Sequence, residues 1–305
     1  MGFELKYSYE DMKKSKAIVK GMKIIKGDIN NLRTKINSDI VYCNRDGVDL
    51  KLRMIYPEYL DKTKKYPLYF HIQGSAWMKQ DLNNHILDFK DIVAHGFIMA
   101  IVEYRHSGIA KFPAQVIDAK NAMRYIMEHS DEMQIDMNNI FISGDSSGGH
   151  IALLCWTTWK NNQLDESKEK LCDVRGFIDF YGCVDLNTMC EQFSATEHNS
   201  IYSPEALLIG ERPKDNPELA AKASVPYYLN EKSNNDPLLI MHGNKDRIVP
   251  FEQSVELYEL CKKYNKNAKF FVVDDADHGG SLFYCKAVMN VVIKYLDEKM
   301  NNIKQ

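Results

Sequence analysis

From residue 40 the chain alternates apolar and polar residues over two short runs, 40–43 and 48–55, joined by Asn44-Arg45-Asp46-Gly47. A period of two sets one face of each run against a core, and Asp-Gly between such runs is the signature of a tight hairpin. Beyond residue 65 the pattern changes. Short, nearly uninterrupted apolar runs appear at 66–73, 97–104, 139–143, 174–181, 237–242 and 269–273, each of strand length. Between them lie stretches of helical period at 88–95, 114–129, 147–160, 255–264 and 282–300; in the second, Val116, Ala119, Ala122, Met123 and Ile126 share one side. Buried-type strands alternating with helices predict an α/β fold: a mostly parallel central sheet with helices on both faces and an N-terminal antiparallel hairpin.

Two stretches break this rhythm. Residues 1–36 are polar, and Met12, Ile18, Val19, Met22 and Ile25 give a loose apolar face that predicts a partly helical N-terminal extension. Residues 182–235 are long, polar and carry Pro204, Pro213, Pro217 and Pro226. Loops of that length inside a domain are usually functional or hold small helices, so the segment reads as an insertion or partial cap near the site. The 305 residues otherwise form one domain, 1–305.

Composition narrows the function classes. A net charge of −3 carries no single-sign field, which argues against nucleic acid or an anionic membrane as partner. The lysine runs near residues 13–16 and 62–65 lack interleaved aromatics and read as solvated faces. The seven cysteines are odd in number and no pair has CxxC spacing, so reduced thiols are expected rather than disulfides or structural zinc. No apolar run reaches membrane-spanning length and the N-terminus has no signal-type apolar region, which together point to the cytoplasm.

Candidate chemistry gathers at strand ends. Gly144-Asp145-Ser146-Ser147-Gly148-Gly149 fits G-x-S-x-G between a predicted strand and a predicted helix, the context in which that motif exposes a nucleophilic serine. The Ser147 N–H, at the helix start, is placed to meet a developing oxyanion. The loop Gly74-Ser75-Ala76-Trp77 follows another strand and offers small residues for a second oxyanion N–H; Trp77 is a candidate substrate contact that would also anchor the loop by packing. Asp246 and His278 each follow a later strand. All three groups therefore map to the edge where open α/β sheets place their sites. A serine hydroxyl needs an adjacent base, histidine can take and return the proton, and a buried carboxylate fixes its tautomer. Asp274, Asp275 and Asp277 are rival acids close in sequence to His278, and Ser147 is a rival nucleophile. His71 and His150 read as packed histidines, and His242 as a support for the Asp246 loop. No histidine has metal-ligand spacing, so no metal and no cofactor are expected.

These motifs carry a resemblance. Gly-Asp-Ser-Ser-Gly-Gly-His (144–150), Glu103-Tyr104-Arg105, and Phe112-Pro113-Ala114-Gln115 with Asp118 resemble segments of the α/β-hydrolase fold-3 and hormone-sensitive-lipase-like esterases. Gln-Gly-Ser-Ala-Trp (73–77) departs from the His-Gly-Gly-Gly-Trp of those enzymes and is similar instead to the bifunctional feruloyl and acetyl-xylan esterase group of gut bacteria. The resemblance implies an α/β-hydrolase fold, Ser146, Asp246 and His278 as a catalytic triad, and Ser147 with Ser75 and either Gly74 or Ala76 as the oxyanion hole. It further implies a serine esterase acting through an acyl-enzyme on acetyl or feruloyl esters, with a small molecule or oligosaccharide as partner. The alternatives are an amide hydrolase of the arylformamidase or peptidase type and a non-catalytic binding module on the same fold.

Overall fold

The computed structural model describes residues 6–8, 10–26, 34–58 and 60–301. The hairpin forms where Asp46-Gly47 predicts it, between β1 (Thr34–Arg45) and β2 (Val48–Pro57). Asp46 and Gly47 both have positive φ, 50° and 76°. That left-handed pair matches the twist of the flanking strands.

The chain then alternates β3 (Tyr66–Ile72), α1 (Lys90–Ala94), β4 (Ile98–Val102), α2 (Ala114–Glu128), β5 (Ile135–Asp145), α3 (Ser147–Thr158) and β6 (Gly176–Phe180). After three short helices, α4 (Leu186–Met189), α5 (Pro204–Ile209) and α6 (Pro217–Lys222), come β7 (Leu238–Gly243), α7 (Phe251–Lys263), β8 (Ala268–Val273) and α8 (Lys286–Asn301). The eight strands lie in the order β1-β2-β4-β3-β5-β6-β7-β8. β2 pairs antiparallel with β1 and β4, and every other pairing is parallel.

Alternation along each strand divides the core between the two faces. Leu68, Phe70 and Ile72 of β3 face one apolar cluster with Val116, Ala119 and Met123 of α2, while Tyr69 faces another with Ile92 of α1 and Val292 of α8. This is the expected fold, an α/β-hydrolase sheet with helices on both faces. Boundaries move modestly: β5 and α7 start four residues earlier than the pattern suggests, and α8 starts four later.

The order of strands has one reversal. β3 lies between β4 and β5, so the chain leaves β3 toward one edge and returns past it to the other. The C-terminal ends of β3 and β5 flank that switch point, where connections diverge and leave a crevice.

One expectation changes and another gains detail. Residues Met1–Asn31 form a unit of their own. Its described residues contain turns, one of them at Gly21 (φ 89°), and no helix; a loose apolar period without close packing does not offset the cost of helix nucleation. Residues 27–33 lie outside the described set. The 182–235 segment is built into the fold: Leu186, Met189, Leu208, Ala220 and Val225 belong to the same apolar cluster as α2 and α3. Pro204 and Pro217 stand at the first positions of α5 and α6, whose N-terminal ends are capped by the side chains of Ser203 and Asn216. Among the described residues no helix is long and apolar enough to cross a membrane.

Candidate active site

The site begins with a steric requirement. Between β5 and α3 the chain turns so sharply that a Cβ on Gly144 would lie 2.2 Å from the Gly148 carbonyl oxygen, and one on Gly148 would lie 2.0 Å from that of Ile72. Only glycine fits either position. Between them Ser146 takes φ 52°, ψ −125°, a conformation costly for any residue with a Cβ. The Ser146 N–H donates to the Phe180 carbonyl at 2.9 Å, which pins the turn to β6.

The structure brings Ser146, His278 and Asp246 together. His278 Nε2 is 2.8 Å from Ser146 Oγ, and His278 Nδ1 is 2.7 Å from Asp246 Oδ2. Asp246 Oδ1 accepts the N–H groups of Ile248 and Val249 at 2.8 and 2.9 Å. His242 Nε2 lies 3.1 Å from the Val249 carbonyl, which can only accept, so that nitrogen carries the proton and also faces Asp246 Oδ2 at 3.2 Å. Its Nδ1 contacts Ser254 Oγ at 2.7 Å. Burial alone would raise the Asp246 pKa, yet the hydrogen bonds from His242 and His278 hold it below the ordinary carboxylate value. The carboxylate therefore stays charged beside the imidazole.

The rival acids lace the loops after β7 and β8 together at the surface. Asp274 accepts from Asn244, Asp275 pairs with Lys245, and Asp277 pairs with Arg247 while accepting the N–H of His278. Arg247 holds the Asp277 carboxyl well below its ordinary range. The insertion braces the same loop, since Ala195 N–H and Ser194 Oγ both donate to the Arg247 carbonyl.

The loop after β3 departs from the sequence expectation. The N–H of Gly74 donates to Asp145 Oδ1 at 2.8 Å, and that of Ser75 to Ser147 Oγ at 2.9 Å. Both expected donors are thus engaged within the protein. Among the described residues the Ala76 N–H has no hydrogen-bond partner, and Ser147, at the first position of α3, carries one of the N–H groups a helix leaves unpaired. The same contact occupies the hydroxyl of the rival nucleophile Ser147.

Trp77 is corrected as well. It is 3% exposed, packs in the core, and donates from Nε1 to His150 Nδ1 at 3.1 Å. His150 in turn donates from Nε2 to the Ala223 carbonyl at 2.7 Å. Burial pushes the His150 pKa down to about 4, so the ring stays neutral and able to accept. Trp77 anchors the loop to α3 and the insertion instead of meeting substrate.

Sequence reasoning missed Tyr181. Its ring packs edge-on against His278, 4.7 Å between centroids, and its hydroxyl lies 3.1 Å from that of Tyr284. The available signal was an aromatic at the C-terminal end of a strand, directly before Gly182. The family-like segments are explained by Arg105, whose guanidinium meets buried Asp118 through Nε and Nη2 at 2.9 and 2.8 Å, tying the chain after β4 to α2.

Asp179 on β6 is fully buried beneath the nucleophile turn and accepts the Gly182 N–H at 3.1 Å. Burial pushes its pKa up to about 8; the Gly182 bond offsets part of this and the Asp145 charge adds to it. The folded state thus holds a proton that the unfolded chain, with a carboxyl near 3.9, releases. The contribution to stability is complete below about pH 4 and is lost as pH rises through about 8, by up to roughly 1.4 kcal/mol per pH unit. Urea unfolding at pH 6 and pH 8 is expected to show this decline in the wild type and a flatter profile in Asp179→Asn. Identical pH slopes in both proteins would contradict the assignment.

Comparison with known proteins agrees with this architecture. A curated relative, the probable carboxylic ester hydrolase LipM of Mycobacterium tuberculosis, is 25% identical over 209 residues, covering 68% of this chain and 47% of the relative. The chain spans about half the length of the curated relatives it matches. Among solved structures, a bifunctional GH43-CE protein of Bacteroides eggerthii superposes with a TM-score of 0.74 at 25% identity, over 87% of this chain and 38% of that one. A truncated carbohydrate esterase from gut microbiota gives 0.71 at 24% identity, over 89% of this chain and 98% of that one. Residues 55–261, more than half of the chain, match the BD-FAE family model, and the protein is a member of the BD-FAE family.

Proposed function

We propose that the protein is a serine carboxylic-ester hydrolase whose substrates are short-chain or feruloyl esters of carbohydrates. The observation that carries the reading is the bridging His278, 2.8 Å from Ser146 Oγ on one side and 2.7 Å from Asp246 on the other. Ser146 Oγ attacks the ester carbonyl while His278 Nε2 takes its proton. The tetrahedral oxyanion is held by the N–H groups of Ser147 and Ala76. His278 then returns the proton to the departing alkoxide, which leaves as the alcohol. Water, deprotonated by the same nitrogen, attacks the acyl-enzyme and releases the acid. Asp246 holds the imidazole in the tautomer with Nδ1 protonated and stabilises the imidazolium.

The sugar alcohol is supported by likeness to two proteins described as a carbohydrate esterase and a bifunctional GH43-CE protein. All seven cysteines are free thiols, in keeping with a reducing compartment such as the cytoplasm. The test is release of acetate and ferulate from acetylated and feruloylated xylo-oligosaccharides, beside p-nitrophenyl acetate, an aryl formamide and a dipeptide anilide. Release from the sugars by wild type and none by Ser146→Ala is the expected result. Cleavage of the nitrophenyl ester alone would overturn the carbohydrate assignment, and preference for either amide would overturn the ester assignment.

A further inference from the structure

Behind the nucleophile lies a second cluster that the proposed reaction does not use. His71 comes from β3, His85 from the loop before α1, and Asp145 from the end of β5. His71 Nε2 stands 3.1 Å from Asp145 Oδ1, and His85 Nε2 stands 3.6 Å from Asp145 Oδ2. One ligand atom from each of the three residues falls within 4.8 Å of the others.

The outer contacts decide which way these groups present themselves. His85 Nδ1 lies 3.0 Å from Asp88 Oδ2. A carboxylate only accepts, so Nδ1 carries the proton and Nε2 turns a lone pair toward Asp145. His71 Nδ1 lies 2.9 Å from Ser143 Oγ, which also faces the Phe70 carbonyl. The Ser143 hydroxyl can donate to or accept from that nitrogen, while Nε2 faces the Asp145 carboxylate. His71 Nε2 is fully buried and, although close to Asp145, lacks hydrogen-bond alignment with any described group. The two imidazole Nε2 atoms and a carboxylate thus converge beside Phe89, 4.6 Å from the His71 ring, and Tyr284, 5.2 Å from that of His85. Such electron-rich atoms in a low dielectric are held together by a proton or by a metal cation among them.

We propose that His71, His85 and Asp145 form a binding site for a divalent transition metal of the Zn²⁺ class. Two imidazoles and one carboxylate are a zinc-type donor set and a poor one for Mg²⁺ or Ca²⁺, which require oxygen. A tetrahedral ion with bonds near 2.0–2.1 Å separates its ligands by about 3.4 Å, so binding would draw the three ligand atoms, now within 4.8 Å of one another, slightly closer. Nδ1 partners on serine and carboxylate are the outer contacts that fix ligating histidines. Water completes the shell from the side of His85, which is half-buried where His71 is closed off. The role is structural. Asp145 directly precedes Ser146 and also accepts the Gly74 N–H at 2.8 Å, so an ion here ties the loop after β3 to the nucleophile turn.

The experiment is titration of chelator-dialysed full-length protein with Zn²⁺, followed by calorimetry and competition with a chromophoric chelator. One ion per chain is expected, with a Kd below about 10 µM, and bound Zn²⁺ should raise Tm by roughly 3–6 °C. Co²⁺ loading should give d–d bands of low-symmetry, four- or five-coordinate intensity. His85→Asn, which removes a ligand from the accessible side without opening the core, should weaken binding at least about 10-fold and abolish the Tm rise. Ser146→Ala should bind normally, which separates this site from the esterase reading. Failure to bind below about 100 µM Zn²⁺, or equal affinity in His85→Asn, would overturn the proposal and leave a proton-shared hydrogen-bond cluster.

Discussion

Ser146→Ala is expected to lower kcat for ester hydrolysis by about 10⁴-fold or more, with the fold intact. The hydroxyl removed is the one 2.8 Å from His278 Nε2. Its neighbour cannot replace it, because Ser147 Oγ accepts the Ser75 N–H at 2.9 Å. Alanine also tolerates the strained backbone no worse than serine, so the loss reports chemistry and not stability. Steady-state rates on p-nitrophenyl acetate, together with loss of labelling by a fluorophosphonate probe, provide the check. Turnover within 10-fold of wild type would remove Ser146 from its assigned role.

Asp246→Asn is expected to cost about 10⁴ in kcat with little change in KM. The geometry gives the reason. Oδ1 receives two backbone N–H groups, from Ile248 and Val249. The asparagine oxygen must keep that position, which turns its NH₂ toward His278 Nδ1. His278 Nδ1 then has to accept, its proton moves to Nε2, and Nε2 can no longer take the proton of Ser146. His242 retains the Val249 carbonyl as a partner at 3.1 Å, so the loop should hold its shape. Kinetics with circular dichroism on the same sample would check both halves of the expectation. If Asp246→Asn retained more than a tenth of wild-type kcat, the orienting acid would have to be sought elsewhere.

The proposed metal site and the engaged loop donors bear on each other. Asp145 is contacted by Gly74 N–H, His71 and His85, and the chain continues directly into Ser146. The nucleophile turn is therefore held from below by a polar cluster and from the side by Phe180. Tyr181 and the Trp77–His150 contact add aromatic support to His278 and to the loop.

Much of this was legible in the chain. The strand runs, the Asp-Gly hairpin and the helical stretches depend on local periodicity and turn chemistry, which adjacent residues carry. That Ser146, Asp246 and His278 would meet could be read because each follows a strand, and in a parallel sheet all strand ends share one edge. What the tertiary structure alone decided are contacts between residues far apart in sequence. The N–H groups of Gly74 and Ser75 looked free because their acceptors, Asp145 and Ser147, lie some 70 positions away. Trp77 looked like a substrate contact because its partner, His150, arrives on α3. The depth to which 182–235 packs was hidden because the apolar cluster that Leu186, Met189, Leu208, Ala220 and Val225 join is formed by distant elements. His71, His85 and Asp145 show no ligand spacing because three separate elements deliver them. Sequence carries the pattern of each element; which polar groups remain free once the elements meet is determined by packing, through distances that no local spacing encodes.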